Sequence, residues 1–256
     1  SRFLTLTLDK KTSSVSHDIK ETWQVLKQSH ENLLPSAPPN WAYFDIGFSQ
    51  LPDASDLNTF FDFMRLANQT HIIIMASYHE NYIESLAYIG MLKGMVQSLT
   101  KPYLTEEGNP FSPIWFTAQL NEMLSLHEKK PKFSFHLLLL TPKNNQCCFI
   151  SCGFPSIIHL SAEKELPRFI SNTNPLLGED PHHEFYETTE NFAQNDTLIL
   201  HSFKGKPKTL EKKINTLIPN TIQLAAQSQA DSLLNGLNLS IETKKTQSVL
   251  CIKRII

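Results

Sequence analysis

The chain has 256 residues, 41% of them hydrophobic and 10% aromatic, enough to bury one large core with at most a small appendage. A formal net charge of -2 argues against a general nucleic-acid surface, which needs Lys and Arg gathered on one face. The longest strongly apolar run, Phe135 to Leu140, falls far short of the ~20 residues that span a bilayer, so the sequence reads as soluble. Four cysteines, Cys147, Cys148, Cys152 and Cys251, do not make a disulfide framework in a chain of this length. They read as buried free thiols of a reducing, cytoplasmic compartment. The chain starts at Ser1 with neither an initiator methionine nor a signal-peptide pattern, which reads as a piece of a longer protein.

Residues 1–40 form the first segment. Phe3 to Leu8 alternates as a strand, and a helix follows from Asp18 to Leu34, capped by Ser16 or Asp18 and stopped by Pro35. Its face of Ile19, Trp23 and Leu26 has two readings of equal weight, packing on its own domain or against a second copy. From Trp41 the pattern becomes strand-like to Phe48. Phe60, Phe61 and Phe63, the polar Asn68-Gln69, and Ile72 to Met75 then predict a hairpin. Alternation puts Thr59, Phe61 and Phe63 on one face and Phe60, Asp62 and Met64 on the other. A core helix is expected over Ser85 to Leu99, with Gly90 and Gly94 leaving room for close packing, and Lys101 to Asn109 as a loop.

A second long helix is expected over Trp115 to Glu128, then strands over Phe133 to Leu140 and Gln146 to Cys152 around a Pro142-Lys143-Asn144-Asn145 turn. Further strands are read at Ser156 to Ser161, Glu184 to Glu190, Thr197 to Ser202 and Val249 to Ile255, with a loop over Asn172 to Asp180. Helices are read at Leu210 to Ile218 and Thr221 to Leu237, the latter with Ile222 and Ala225 inward. Hairpins with two pairs of helices give an α+β class: an antiparallel β-sandwich flanked by helix pairs over 41–256, preceded by an N-terminal linker helix.

Several motifs occur in a telling order. Gln28 leads to Leu33-Leu34-Pro35, and Leu57-Asn58-Thr59-Phe60-Phe61-Asp62 stands where a Gly-Gly-Asp-x-Tyr-Asp motif would. Cys152-Gly153-Phe154-Pro155-Ser156 matches an Ala-Gly-His-Pro-Pro turn, and Leu176-Leu177-Gly178 a Pro-Leu-Gly. Asn195 to Lys204 matches a Gly-Asp-x-Leu-Leu-Leu-Tyr-Thr-Asp-Gly strand. In this order the chain resembles the SpoIIE and RsbU branch of the metal-dependent type 2C (PPM) serine/threonine protein phosphatases, over roughly Glu21 to Ile255.

That resemblance implies a pair of manganese or magnesium ions held by aspartates, with a bridging water that attacks phosphorus. Here the metal aspartates fall on Thr59, Ser77, Phe203 and, near the last strand, Lys245-Thr246, so every expected carboxylate is replaced and no metal cofactor is expected. Asp62 survives and Glu80 lies three residues after Ser77, and a displaced single ion between them weighs less than a structural role for each. His182-His183 with Asp180 and Glu184 reads as a polar loop, because neighbours on an extended chain point opposite ways.

The resemblance therefore implies a pseudophosphatase of a bacterial sigma-factor partner-switching system, acting by protein binding. Its partner would be an anti-anti-sigma (STAS) protein or a partner phosphatase or kinase, met through His79, Glu80, Gly153 and Phe154. Two alternatives stand beside it. One is an active manganese- or magnesium-dependent phosphoserine phosphatase on a STAS protein with relocated ligands. The other is a structural dimerisation domain of a larger sensor, self-associating through the 18–34 helix. Neither nucleic acid nor membrane is expected as a partner.

Overall fold

A computed structural model describes residues 21–22, 24–51, 58–79, 82–105, 110–164, 166–203, 207–238 and 247–256. The expected Phe3 to Leu8 strand, the Ser16 or Asp18 cap, Ile19, Trp23, Glu80, Lys245 and Thr246 lie outside the described residues. The chain divides into two units, Ser1–Leu34 and Pro35–Ile256. In the first, helix α1 runs over 24–31 and gives way to a turn at Asn32 and Leu33, so Leu33 and Leu34 follow the helix rather than end it.

The second unit is a sandwich of two five-stranded antiparallel sheets. One contains β1 (Phe44–Leu51), β10 (Gln247–Arg254), β9 (Thr197–His201), β6 (Ile157–Leu160) and β7 (Arg168–Ile170), in that spatial order. The other contains β2 (Thr59–Arg65), β3 (His71–Tyr78), β4 (Phe133–Thr141), β5 (Gln146–Cys152) and β8 (Thr188–Asn191). The hairpin expected around Asn68-Gln69 is β2–β3, and Phe61 and Phe63 face the inter-sheet core as alternation requires. That core joins Phe61, Met75, Leu138 and Phe149 of one sheet to Phe44, Leu200, Leu250 and Ile252 of the other. Burying such a layer at about 25 cal/mol per Å² of apolar surface is the main force holding the sheets face to face.

Helices α2 (Tyr82–Thr105) and α3 (Pro113–Ser125) pack on the outer face of the β2–β8 sheet, where Phe60, Ile72, Ile74 and Ile150 are fully buried. Helices α4 (Pro207–Leu217) and α5 (Ala226–Asn238) cover the other sheet through Leu210, Ile214, Leu233 and Leu237. The antiparallel sandwich with flanking helix pairs is thus the architecture that the sequence implies.

Particular elements differ from the sequence reading. Helix α2 continues through Pro102 to Thr105, because Tyr103 packs edge-on against Phe111 at 5.2 Å and its carbonyl accepts from Ala67 N at 3.0 Å. A Cβ at Gly90 or Gly94 would meet nothing within 4 Å, so neither glycine serves close packing. Helix α3 starts two residues early because Ser112 caps it, its Oγ accepting from Trp115 N, with Pro113 in the first turn. Helix α5 starts only at Ala226, whose N–H donates to the Asp45 carboxylate at 2.8 Å, and this leaves Ile222 and Ala225 exposed. Trp41 lies in a turn before β1, β8 begins four residues after Glu184, and β7 has no counterpart in the sequence reading.

Candidate functional site

Strand register assembles one end of the sandwich. Thr59 pairs with Ser77, and Ser77 with Ser134, so three hydroxyl residues stand side by side across β2, β3 and β4. Their parity is that of Phe61, Met75 and Leu138, which places them on the inner face at the rim of the inter-sheet core. Thr59 is fully buried, and its Oγ1 donates to Asn58 Oδ1 at 3.1 Å. Ser134 is a junction: its Oγ lies 2.7 Å from His79 Nε2 and donates to the Gly153 carbonyl at 3.2 Å. It thereby ties the segment after β3 to the β5–β6 turn. Gly153 has φ +66°, a left-handed conformation that favours glycine, and a Cβ there would also press on the end of the Leu176 side chain at 2.2 Å.

His136 of β4 lies beside this row, fully buried and stacked on Phe154 with ring centroids 4.8 Å apart. Burial drives its pKa down to about 3, and nearby His201 adds to the effect against a smaller opposing pull from the Pro155 backbone. It is a neutral imidazole at physiological pH. His201, at the end of β9, is likewise lowered by burial to about 4, and its Nδ1 has no hydrogen-bond partner.

Next to this end opens a cleft of about 760 Å³. Its walls are the Gly153–Ser156 turn, Phe169 of β7, the Ser171–Pro175 loop, His201, Phe203, and Leu210, Glu211 and Ile214 of α4. The loop wall is pinned by two asparagines. Asn172 Oδ1 accepts from Ser151 N at 2.8 Å while its Nδ2 donates to Phe149 O, and Asn174 both donates to and accepts from the Tyr186 backbone at 3.0 Å.

The structure brings together Thr59 and Ser77, and separately His79, Gly153 and Phe154, while Glu80 and Thr246 lie outside the described residues. Phe203 is buried in the apolar cluster under α4 and α5 and also lines the cleft. Asp62 is not part of this end. Its parity turns it to the α2 side of the sheet, where burial raises its pKa against the attraction of Lys93. His183 Nε2 sits 3.1 Å from Asn174 Oδ1, and His182 N donates to Asp180 Oδ1, so the 180–184 segment is a hydrogen-bonded loop. Ser134, His136, Asn172, Asn174 and His201 escape the sequence reading. The inward parity of Ser134 and His136 within an apolar strand was the available signal.

The metal pair implied by the resemblance does not fit the donors found at this end among the described residues. Hard divalent cations need several carboxylate oxygens, whereas the row supplies the neutral hydroxyls of Thr59, Ser77 and Ser134. Among the described residues, no three His, Cys, Asp or Glu side chains converge on one point. No helix among them is long and apolar enough to cross a membrane.

The family model of Stage II sporulation protein E (SpoIIE) matches residues 83–202. No curated protein sequence is significantly similar to the chain. Among solved structures, the RsbU and RsbW domains of Rv1364c from Mycobacterium tuberculosis superpose with a TM-score of 0.67 at 13% identity, covering 83% of this chain and 60% of that one. The PP2C phosphatase domain with a regulatory fragment of SpoIIE from Bacillus subtilis gives 0.65 at 12% identity, covering 83% and 62%. The chain thus spans about three fifths of the length of these two. The SiaA-PP2C domain of Pseudomonas aeruginosa gives 0.73 at 9% identity, covering 95% of this chain and 99% of that one. At these identities the structural likeness is one of fold. The SpoIIE family match over residues 83–202 lies inside that shared fold, and the chain is therefore similar to the SpoIIE/RsbU phosphatase domains in fold and, over that segment, in sequence.

Proposed function

We propose that this domain is a pseudophosphatase that works by binding a protein partner in a bacterial partner-switching circuit, in the cytoplasm and without metal-dependent hydrolysis. The observation that carries the reading is the Thr59, Ser77, Ser134 row, in which neutral hydroxyls stand at Thr59 and Ser77, the two positions of the row where the resemblance puts metal-binding carboxylates. Two divalent ions bring four positive charges into a cleft. Uncompensated charge is prohibitively costly to remove from water, and the described row offers the ions neutral hydroxyls in place of carboxylates, which leaves them in solvent. Without them an attacking water keeps its bulk acidity and is a poor nucleophile at neutral pH. What remains is a surface, with His79, Gly153 and Phe154 joined through Ser134 and His136. A solved relative joins RsbU and RsbW domains, which supports a partner of the same circuit, an anti-anti-sigma (STAS) protein or a partner phosphatase or kinase.

The test is hydrolysis of para-nitrophenyl phosphate and of a phosphorylated STAS protein with added manganese, together with calorimetric binding of the STAS proteins of the source organism. No turnover above buffer and binding weakened at least ~10-fold by Phe154→Ala are expected, tenfold being about 1.4 kcal/mol. Manganese-dependent turnover that a chelator abolishes would overturn the reading in favour of a working phosphatase. A Thr59→Asp, Ser77→Asp, Phe203→Asp variant shows whether carboxylates alone restore metal uptake, read by elemental analysis.

A further inference from the structure

We propose that the cleft between the β5–β6 turn and α4 is a binding site for a neutral, largely apolar small molecule that makes one hydrogen bond to His201. Four observations point there. The volume, about 760 Å³, lies within the range of small-molecule pockets, roughly 300–1,000 Å³. Phe154, Phe169, Phe203, Leu210 and Ile214 give it apolar walls that can cover an aromatic or aliphatic body. One wall is preformed, because the side-chain amides of Asn172 and Asn174 are spent on backbone partners, and so the loop costs little to order when a ligand arrives. Finally, His201 is 3% exposed, lines the cleft, and keeps a buried Nδ1 with no partner, a group that a ligand hydroxyl or carbonyl would satisfy.

Charge fixes the ligand class. Among the described residues that line the cleft, Glu211 is the only charged side chain, and none is Lys or Arg. A phosphorylated or carboxylate ligand would lose its hydration without a compensating cation. The site is therefore distinct in chemistry from anything that recognises phosphoserine. It stands independently of whether the domain hydrolyses phosphate, since its readout is ligand binding alone.

Three probes sharing one ring system separate the contributions: 2-naphthol, naphthalene and 2-naphthyl phosphate, titrated by NMR into the intact 256-residue chain. We expect 2-naphthol to bind with a Kd of about 0.1–1 mM, as suits a fragment of its size, and 2-naphthyl phosphate to bind at least ~10-fold more weakly. His201→Phe should cost 2-naphthol about tenfold and leave naphthalene unchanged, because only the hydrogen bond is lost. Ser171→Trp and Thr173→Trp, at exposed rim positions that a larger side chain does not unfold, should block all three probes. Absence of 2-naphthol binding to the unmodified chain would overturn the proposal. So would binding that survives both rim variants, or a phosphate ester that binds as well as the alcohol.

Discussion

Asp62 stands one residue along β2 from Phe61, and that single step sends its carboxylate to the helix side of the sheet instead of the inter-sheet core. There Oδ1 accepts from Phe63 N at 3.0 Å and Oδ2 has no partner, so burial raises its pKa. A raised carboxylate pKa means that the charge is worse accommodated in the folded chain than in the unfolded one, which costs stability at neutral pH. Asp62→Asn is therefore expected to leave the fold intact and to stabilise it, seen as a higher thermal midpoint at pH 7. A clear loss of stability would show that the carboxylate is held by something that favours its charge, as a relocated metal site would. The cysteines tell a similar story of burial. Cys148 is pushed up to about 12 and Cys147, Cys152 and Cys251 are raised further, so all four thiols should resist a thiol reagent at pH 8 until the chain is unfolded.

At the scale of elements, the joint between β1 and α5 governs how one helix layer sits on its sheet. Asp45 accepts from Ala226 N at 2.8 Å, a helix start capped by a residue 181 positions away, and Gly47 lets the helix backbone lie against the strand. A Cβ at Gly47 would fall 2.2 Å from Gln227 N, a contact that cannot relax without moving α5. Gly47→Ala is expected to destabilise by ~3 kcal/mol in urea unfolding, against about 1 kcal/mol for Asp45→Ala, which removes only a cap. Equal and small effects would mean that α5 docks elsewhere. The same joint explains what the sequence shows and hides. The strands were legible because Phe60 to Met64 and Ile72 to Met75 are short apolar runs on either side of a polar turn, and the period of two then assigns their faces. The start of α5 was not legible, since its cap comes from β1, and Ile222 and Ala225 continue a helical pattern that the chain does not follow. Helix α2 ran past its proline for a like reason, a tertiary contact at Tyr103 outweighing a local breaker. Of the candidate site, the sequence singled out Thr59 and Ser77, which register pairs across β2 and β3, whereas Ser134 and His201 emerge only once register and the α4 wall are known.

Across the whole molecule, neutral buried histidines set how the fold answers acid. His136 and His201 sit at one end of the sandwich with pKa values lowered to about 3 and about 4, and His71, lowered to about 4 by burial and by Arg65, lies on β3 at the other. In the unfolded chain each imidazole titrates near 6.5. As the pH falls from 7 to 5, the unfolded state takes up protons that the folded state refuses, so stability is full above about pH 6.5 and declines on acidification. Each group contributes on the order of 1–2 kcal/mol across that window, at 1.36 kcal/mol per pH unit for a fully linked proton. Asp62 works in the opposite sense because its pKa is raised, and measuring in the Asp62→Asn background removes it from the comparison. The expected outcome is a urea midpoint lower at pH 5 than at pH 7 by on the order of 1 M. The His136→Phe, His201→Phe double variant keeps the aromatic volume against Phe154 and Phe203, and should lose most of that difference while His71 retains the remainder. A midpoint that does not move between pH 7 and 5, or one that falls as steeply in the double variant, would place the acid sensitivity outside these rings.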